Sequence, residues 1–179
     1  MKKLLSLVLA TALCTPVFAQ KTGMTNNNAP TVEQTVNAGG AKMSLNYTSI
    51  TWASGDTIKS AMDKENGAGT REYINGQATK KPLASFSTSV AVTCGELKLD
   101  AGDYKVYYTI SENCDWQINF AKDGNVMTMK LPLMDNKEAS KRLMMCLYAG
   151  ETEGAGVYIA FGDKMCMLDF KAAKVTKQG

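Results

Sequence analysis

The chain has 179 residues, of which 20 are basic and 17 are acidic, and its formal net charge is +3. It contains no histidine, which excludes Ser-His and Cys-His nucleophile pairs, histidine-ligated zinc and haem held by a proximal histidine. Neither sign of charge is clustered along the sequence, so the basic stripe that binds nucleic acid is missing. We therefore predict no nucleic-acid partner.

The N-terminal segment has the parts of an export signal. Lys2 and Lys3 give it a charged start, a short apolar run follows over 4–13, and Ala19 supplies a small residue for a signal peptidase. We predict a signal peptide over 1–19 and a secreted bacterial protein of the periplasm or the extracellular space. No later stretch is long and apolar enough to anchor the chain, so no transmembrane anchor is predicted.

The residues after the signal are enough for one domain with a sizeable core. A polar stretch over 20–30 predicts a flexible N-terminus. We expect a single domain over 31–174 and a short C-terminal tail over 175–179.

Two strands in tandem between Ala101 and Lys122 define the fold class. Apolar and polar side chains alternate in both, and the apolar set is Tyr104, Val106, Tyr108 and Ile110, then Trp116, Ile118 and Phe120. Such alternation is typical of half-buried strands, whose apolar face needs a second layer to cover it. The sequence therefore predicts an all-β fold, a two-layer antiparallel β-sandwich with a short helix and hairpin insertion.

The rest of the chain supplies further strands separated by turn residues. The predicted strands are Val32–Val36, Lys42–Trp52, Ser85–Cys94, 97–99, Val126–Leu131, Leu143–Ala149, Val157–Phe161 and Met165–Phe170. Gly95, Asp123-Gly124 and Gly162-Asp163 predict turns between neighbouring strands, and a charged loop is predicted over Asp135–Ser140.

The stretch 53–82 is the least strand-like part of the chain. Asp56 is placed to cap a short helix, and Asn75-Gly76 predicts a hairpin with a type I′ turn. We predict that this insertion and the adjacent strand faces bind a protein or a glycan. The candidate ligand-binding residues are Trp52, Arg71, Tyr73 and Tyr107.

Four cysteines follow the predicted signal. Cys94 falls at a strand end and Cys114 in a turn, so a disulfide between them is one candidate pairing in an exported protein. Cys146 and Cys166 fall on strands two apart in the predicted meander, about 9.5 Å from each other, which is too far for a disulfide. The alternative for this pair is that Cys146 and Cys166 are buried free thiols that pack as small apolar groups.

Two kinds of chemistry remain open as alternatives. Thioether and thiolate groups prefer Cu(I), so Met165, Met167, Cys146 and Cys166 are the candidate ligands of a periplasmic copper-handling protein. Against this, methionine commonly fills gaps in a core. A hydrolase that uses paired carboxylates is the other alternative, with Glu72, Glu96, Glu112, Asp115 and Glu151 as the loop or strand-end candidates. The leading prediction includes no cofactor.

The segment from Ser85 combines a strand-turn-strand at Val90–Leu99, the bend Ala101-Gly102-Asp103-Tyr104 and the strand Asp115–Phe120. In these features, clearest over Ser85–Ala172, the chain resembles a family of exported bacterial proteins classed as a domain of unknown function, number twenty-nine eleven. The resemblance implies an exported β-sandwich without an assigned activity. The family's arginine-containing stretch before the Ser85 strand is replaced here by the insertion, in which Arg71 is the only arginine. We therefore expect a non-enzymatic module of the bacterial envelope.

Overall fold

The structure is a computed structural model that describes residues 28–51, 56–150 and 154–173. The predicted signal peptide, the predicted tail over 175–179, most of the predicted flexible N-terminus and the side chains of Trp52 and Glu151 lie outside these residues. The described elements are β1 (Thr31–Ala38), β2 (Ala41–Thr48), α1 (Asp56–Ala61), α2 (Ala68–Lys80), β3 (Ala84–Thr88), β4 (Val92–Cys94), β5 (Leu97–Leu99), β6 (Gly102–Ile110), β7 (Trp116–Lys122), β8 (Asn125–Lys130), β9 (Met134–Ala149) and β10 (Gly154–Ala172).

The strands form two antiparallel sheets that enclose one core. The first sheet has six strands in the order β1-β2-β3-β6-β7-β8, and the second has the order β5-β4-β10-β9. Apolar residues of both sheets belong to the same buried cluster. The predicted all-β sandwich is therefore confirmed.

Three phenylalanines connect the two sheets through the core. Phe86 and Phe120 come from the six-stranded sheet, and Phe170 comes from the opposite one. The rings of Phe86 and Phe170 are stacked with centroids 4.8 Å apart, while Phe120 meets them edge-on at 5.8 Å and 6.1 Å respectively. Each aromatic pair contributes about 0.5–1.5 kcal/mol beyond the burial of its area. These contacts set the separation of the two sheets.

The turns predicted at Asp123-Gly124 and at Gly95 are present and connect neighbouring antiparallel strands. Asp123 and Gly124 both have positive φ, 51° and 82°, and join β7 to β8 with Lys122 opposite Asn125, as a type I′ turn requires. Gly95, with φ 57°, joins β4 to β5.

Strand β10 reverses its direction within its length. Gly162 has φ 56°, and a Cβ on Gly154 would collide with the carbonyl oxygen of Phe170. The two halves of β10 therefore lie side by side, as the predicted strands Val157–Phe161 and Met165–Phe170 with a turn at Gly162-Asp163 require.

Two strand predictions are corrected by the structure. The predicted strand Ser85–Cys94 is divided into β3 and β4, which belong to different sheets, because the chain crosses the sandwich between Thr88 and Val92. The predicted charged loop Asp135–Ser140 is instead part of β9, where Lys164 of β10 donates to Asp135 at 2.6 Å. Exposed edges of a sheet accept charged residues that a buried strand would not.

The insertion also differs from its prediction. The short helix expected from Asp56 is present as α1, but the predicted hairpin is the 13-residue helix α2. Arg71, Ile74 and Ala78 are its buried residues, and their spacing places them on one helical face. Of the described helices none is long and apolar enough to cross a bilayer.

Helix α2 is fixed to the end of β6 in the six-stranded sheet. The side chain of Asn75 accepts from the Ile110 N–H at 2.8 Å and donates to the Ile110 carbonyl at 2.9 Å, as a neighbouring strand would. Ile74 packs there with Ala61 of α1 and Ile110 in a small second cluster. Asn75 therefore has a structural use that explains its place in a helix.

The stability effect of Gly76 tests the corrected insertion. Gly76 is exposed inside α2, and a Cβ added there has no atom within 4 Å. We expect Gly76→Ala to raise the free energy of unfolding by about 0.5–1 kcal/mol, because alanine favours the helix and loses less conformational freedom on folding. Urea unfolding followed by circular dichroism measures the change.

Gly124→Ala is the matched control, since its φ of 82° strains any side chain and the same measurement should show destabilisation. A loss of stability in Gly76→Ala as well would favour the turn at Asn75-Gly76 and contradict the helix.

Candidate functional site

Arg71 joins the two helices of the insertion. It is 7% exposed, and Nη1 donates to the carbonyls of Ala61 at 2.9 Å and Asp63 at 2.7 Å. The same atom lies 3.4 Å from the sulfur of Cys114. The structure thus places the Nη1 donor of this predicted ligand-binding residue against the chain that ends α1, and its binding role stays a prediction.

The other predicted ligand-binding residues do not form a common surface. Tyr107 has the opposite parity to the core residues Val106 and Tyr108, and it is only 7% exposed. Tyr73 is 49% exposed on α2. Trp52 lies outside the described residues, so the structure leaves Tyr73 as the one accessible member of the described three.

The four described cysteines are free thiols, so the candidate disulfide between Cys94 and Cys114 is not formed. Cys94 lies in the main core, whereas Cys114 lies beside Arg71 under the insertion. Burial raises the pKa of the Cys94 thiol to about 11 and that of Cys166 to about 12. Cys166 therefore fits the alternative prediction of a small apolar thiol, whereas Cys146 is exposed and does not.

The candidate copper ligands are divided between two faces of the four-stranded sheet. Cys166 is 0% exposed and belongs to the core, while Cys146 is exposed on β9. Met165 and Met167 follow the opposite parity to Cys166, and their sulfurs lie 3.6 Å and 4.0 Å from the hydroxyls of Tyr158 and Tyr148. Because β10 directs Cys166 inward and its two methionine neighbours outward, the four predicted ligands do not converge.

The carboxylates of the hydrolase alternative are dispersed over the described surface. Asp115 forms an ion pair with Lys130 at 2.8 Å, and Glu72, Glu96 and Glu112 are exposed on separate elements. Within the described ranges, no group of three or more cysteine and acidic residues could hold a metal ion. The arrangement offers no pair of facing carboxylates among these four.

The two sides of the sandwich are closed to different degrees. On one side, which we call the closed seam, β1 lies against β9. Gln34 bridges the two strands, since its Nε2 donates to the Met145 carbonyl at 3.1 Å and its Oε1 accepts from the Leu147 N–H at 2.6 Å. A side-chain amide thus satisfies backbone groups that the edge of β9 would otherwise leave without a strand partner.

A second group of bonds extends the closed seam. The Leu143 N–H donates to the Ile50 carbonyl at 2.8 Å, and the Ser49 hydroxyl donates to the Leu143 carbonyl at 2.9 Å. Arg142 adds a guanidinium bond to the Ser49 carbonyl at 3.0 Å. This side of the sandwich is therefore fastened along much of its length.

The other side, which we call the open seam, lies between β5 and β8. No hydrogen bond joins these two edge strands in the part of the chain that the structure describes. A groove of about 600 Å³ opens there to solvent. It is lined by Cys94, Glu96, Leu97, Lys98, Met127, Thr128, Met129 and Lys130.

Strand β8 presents a regular set of free backbone groups at the open seam. Lys122 faces Asn125 next to the two-residue turn, and the Leu131 N–H donates to the Trp116 carbonyl at 2.8 Å. In an antiparallel pair the bonded positions alternate, so Asn125, Met127 and Met129 bond to β7. The N–H and C=O groups of Val126, Thr128 and Lys130 therefore point outward, and they form an edge that another strand could join. We identify this edge and the adjoining groove as the candidate functional site.

The side chains of β8 divide by the same alternation. Met127 and Met129 are half-buried and pack against the core, whereas Val126, Thr128 and Lys130 are exposed. The Thr128 hydroxyl donates to Asn119 Oδ1 at 2.7 Å, which ties the centre of the edge strand to β7.

The sequence predicted the strand Val126–Leu131, but it did not indicate that this strand could bind a ligand. The alternation of two methionines with Val126, Thr128 and Lys130 indicates a half-buried strand, but not whether a partner lies beyond it. That depends on the sheet order, which places β8 last.

No protein-family model, curated protein or solved structure matches the chain. The resemblance to the exported family of unknown function therefore stays a prediction. The candidate site is defined by geometry alone.

Amide hydrogen exchange tests the free edge of β8 directly. We expect the amides of Met127 and Met129 to be protected and those of Val126, Thr128 and Lys130 to exchange much faster, because only the first set bonds to β7. Exchange followed residue by residue by NMR measures this pattern. Uniform protection along β8 would show that its edge is already paired, and would remove the candidate site.

The buried thiols predict a loss of stability at alkaline pH. Their pKa lies near 9.0 in the unfolded chain and rises on folding, so their contribution is fully present below about pH 9 and is lost as the pH rises toward 11 and 12. Between pH 9 and pH 10 we expect the free energy of unfolding to fall by about 1 kcal/mol for each thiol. Urea unfolding under reducing conditions at several pH values measures the slope.

Cys166→Ala should remove one thiol's share of that slope. Cys146→Ala, which changes an exposed cysteine and retains both buried thiols, is the matched control. Equal slopes in the wild type and in Cys166→Ala would contradict the assignment of the effect to the buried Cys166 thiol.

Proposed function

We propose that the protein is an exported, non-enzymatic binding module that takes up an extended polypeptide segment as an additional strand on β8. The observation that supports this most directly is the row of outward N–H and C=O groups at Val126, Thr128 and Lys130, next to an open groove. Addition of a strand to an exposed sheet edge is an established mode of peptide recognition.

The other three sheet edges are less suited to this use. The edge of β9 is bonded to Gln34, and β1 lies against β9 in the closed seam. Strand β5 has three residues, so it offers few backbone groups. Strand β8 combines six residues with an uncovered edge, which favours it as the binding strand.

A polypeptide fits the site better than a glycan. Backbone amides and carbonyls at alternate residues of β8 are complementary to the backbone of another extended chain, which has the same spacing. Sugar recognition relies on accessible aromatic rings, and of the described members of the predicted ligand set only Tyr73 is accessible. The insertion therefore supports the sheet and is not the binding surface in this proposal.

The proposal of a binding module rather than an enzyme is supported by the composition and by the pairing of one candidate acid. The chain has no histidine, and Asp115 of the hydrolase alternative is paired with Lys130. Export is proposed from the charged and apolar pattern of residues 1–19, which is typical of a signal peptide. The site itself would function in any compartment that holds an unpaired strand.

A proline at the centre of β8 tests the proposed function. Phage-displayed random heptapeptides selected on the immobilised protein serve as the probe. We expect Thr128→Pro to lower the affinity for the selected peptides by about tenfold or more. Proline removes an outward N–H, and its ring obstructs a neighbouring strand. The pairing with β7 is retained, since the Thr128 N–H does not take part in it.

Thr128→Ala is the matched control, because it loses the same side-chain bond to Asn119 but keeps the N–H. Binding by Thr128→Ala should stay close to that of the wild type, measured by fluorescence polarisation. Equal binding by the proline and alanine variants would contradict strand addition. A concentration-dependent dimer in solution that Thr128→Pro disrupts would also overturn the proposal, since a second copy would then occupy the edge.

A further inference from the structure

We infer that the segment bound to β8 carries apolar side chains at two positions two residues apart, and that these side chains enter the groove between β5 and β8. This inference rests on the proposed function, because it concerns the side chains of the strand that β8 would bind. It defines the ligand as an extended segment of the pattern apolar–any–apolar.

The inference follows first from the way in which side chains alternate between the two faces of paired strands. Residues directly opposite each other on neighbouring strands point to the same face of the sheet. The residues of a bound segment that face Met127 and Met129 therefore point inward, as these methionines do. The residues that face Val126, Thr128 and Lys130 point to the solvent side.

The lining of the groove then determines which side chains of the bound segment can enter it. Its inner wall is formed by Met127 and Met129 on one sheet and by the buried Leu97 and Cys94 on the other. Burial raises the pKa of the Cys94 thiol to about 11, so this group is uncharged at neutral pH. An apolar side chain that contacts this wall would gain about 25 cal/mol for each Å² it buries, while the charged lining residues Glu96, Lys98 and Lys130 are exposed to solvent.

The methionines favour a range of apolar shapes rather than one. Their unbranched thioethers adapt to irregular gaps, and surfaces built from methionine commonly accept several partners. Both are half-buried in the free protein, so a bound segment would complete their burial. The charged residues Glu96 and Lys98 belong to the β5 wall of the groove and are exposed, which leaves the solvent-facing positions of the ligand without a strong requirement.

The test uses the same phage-displayed heptapeptide library. We expect the selected peptides to share apolar residues at two positions separated by one variable position. Met129→Lys places an ammonium group in the groove and should lower the affinity for a selected peptide by about tenfold or more. Met144→Lys makes the same substitution on β9, where the exposed side chain is not part of the groove, and should change binding by less than about threefold.

Met129→Ala is a second variant of the same residue, and it tests the inference even if Met129→Lys does not fold. It enlarges the groove without adding charge, and selection on it should recover peptides with larger apolar residues at the same two positions. Thermal unfolding of all three variants checks that they are folded.

The outcomes separate the inference from the proposed function. If peptides bind and are lost in Thr128→Pro, but show no apolar preference or bind Met129→Lys as well as the wild type, the inference is overturned and strand addition stands. If no peptides are enriched, or if their binding is insensitive to Thr128→Pro, the proposed function fails instead.

Discussion

Backbone hydrogen bonding at the sheet edges is the constraint on which the rest of this structure depends. A sandwich of two open sheets has four edge strands, and each one leaves N–H and C=O groups without a strand partner. At the closed seam the side-chain amide of Gln34 bonds to these backbone groups of β9. Hydrogen bonds among Ser49, Ile50 and Leu143 join the two sheets farther along the same side. At the open seam β8 keeps its outward groups free. The asymmetry of the molecule therefore comes from how the same requirement is met on its two sides.

The open seam lies at the margin of the core. Phe86 and Phe120 of one sheet contact Phe170 of the other, and packed sheets stand about 10 Å apart. Strands β5 and β8 end the two sheets on this side, and among the described residues no hydrogen bond joins them. Met127 and Met129 lie at this margin, where they are half-buried and pack against the core. The groove is thus bordered by core side chains and by a strand whose described residues pair only with β7.

Much of the fold could be predicted because its signals are local. Alternation over Tyr104–Phe120 and the Asp123-Gly124 turn depend on neighbouring residues, and the structure confirms both the strands and the hairpin. The helix α2 was missed because Asn75-Gly76 is a strong turn signal when considered alone. Its helical conformation is favoured by distant partners, since Asn75 bonds to Ile110 and Arg71 reaches the end of α1. Such long-range bonds leave no pattern in a single sequence.

The candidate site could not be predicted for a related reason: a free edge is a property of sheet order and not of a strand's own residues. Yet β8 is held in place without an occupant, by its bonds to β7, by the Thr128 bond to Asn119 and by the ion pair of Lys130 with Asp115. An edge that is already ordered loses little conformational entropy when it binds, so a bound segment need order only itself. The sheet can therefore gain or release a strand at this edge while its own pairing stays intact.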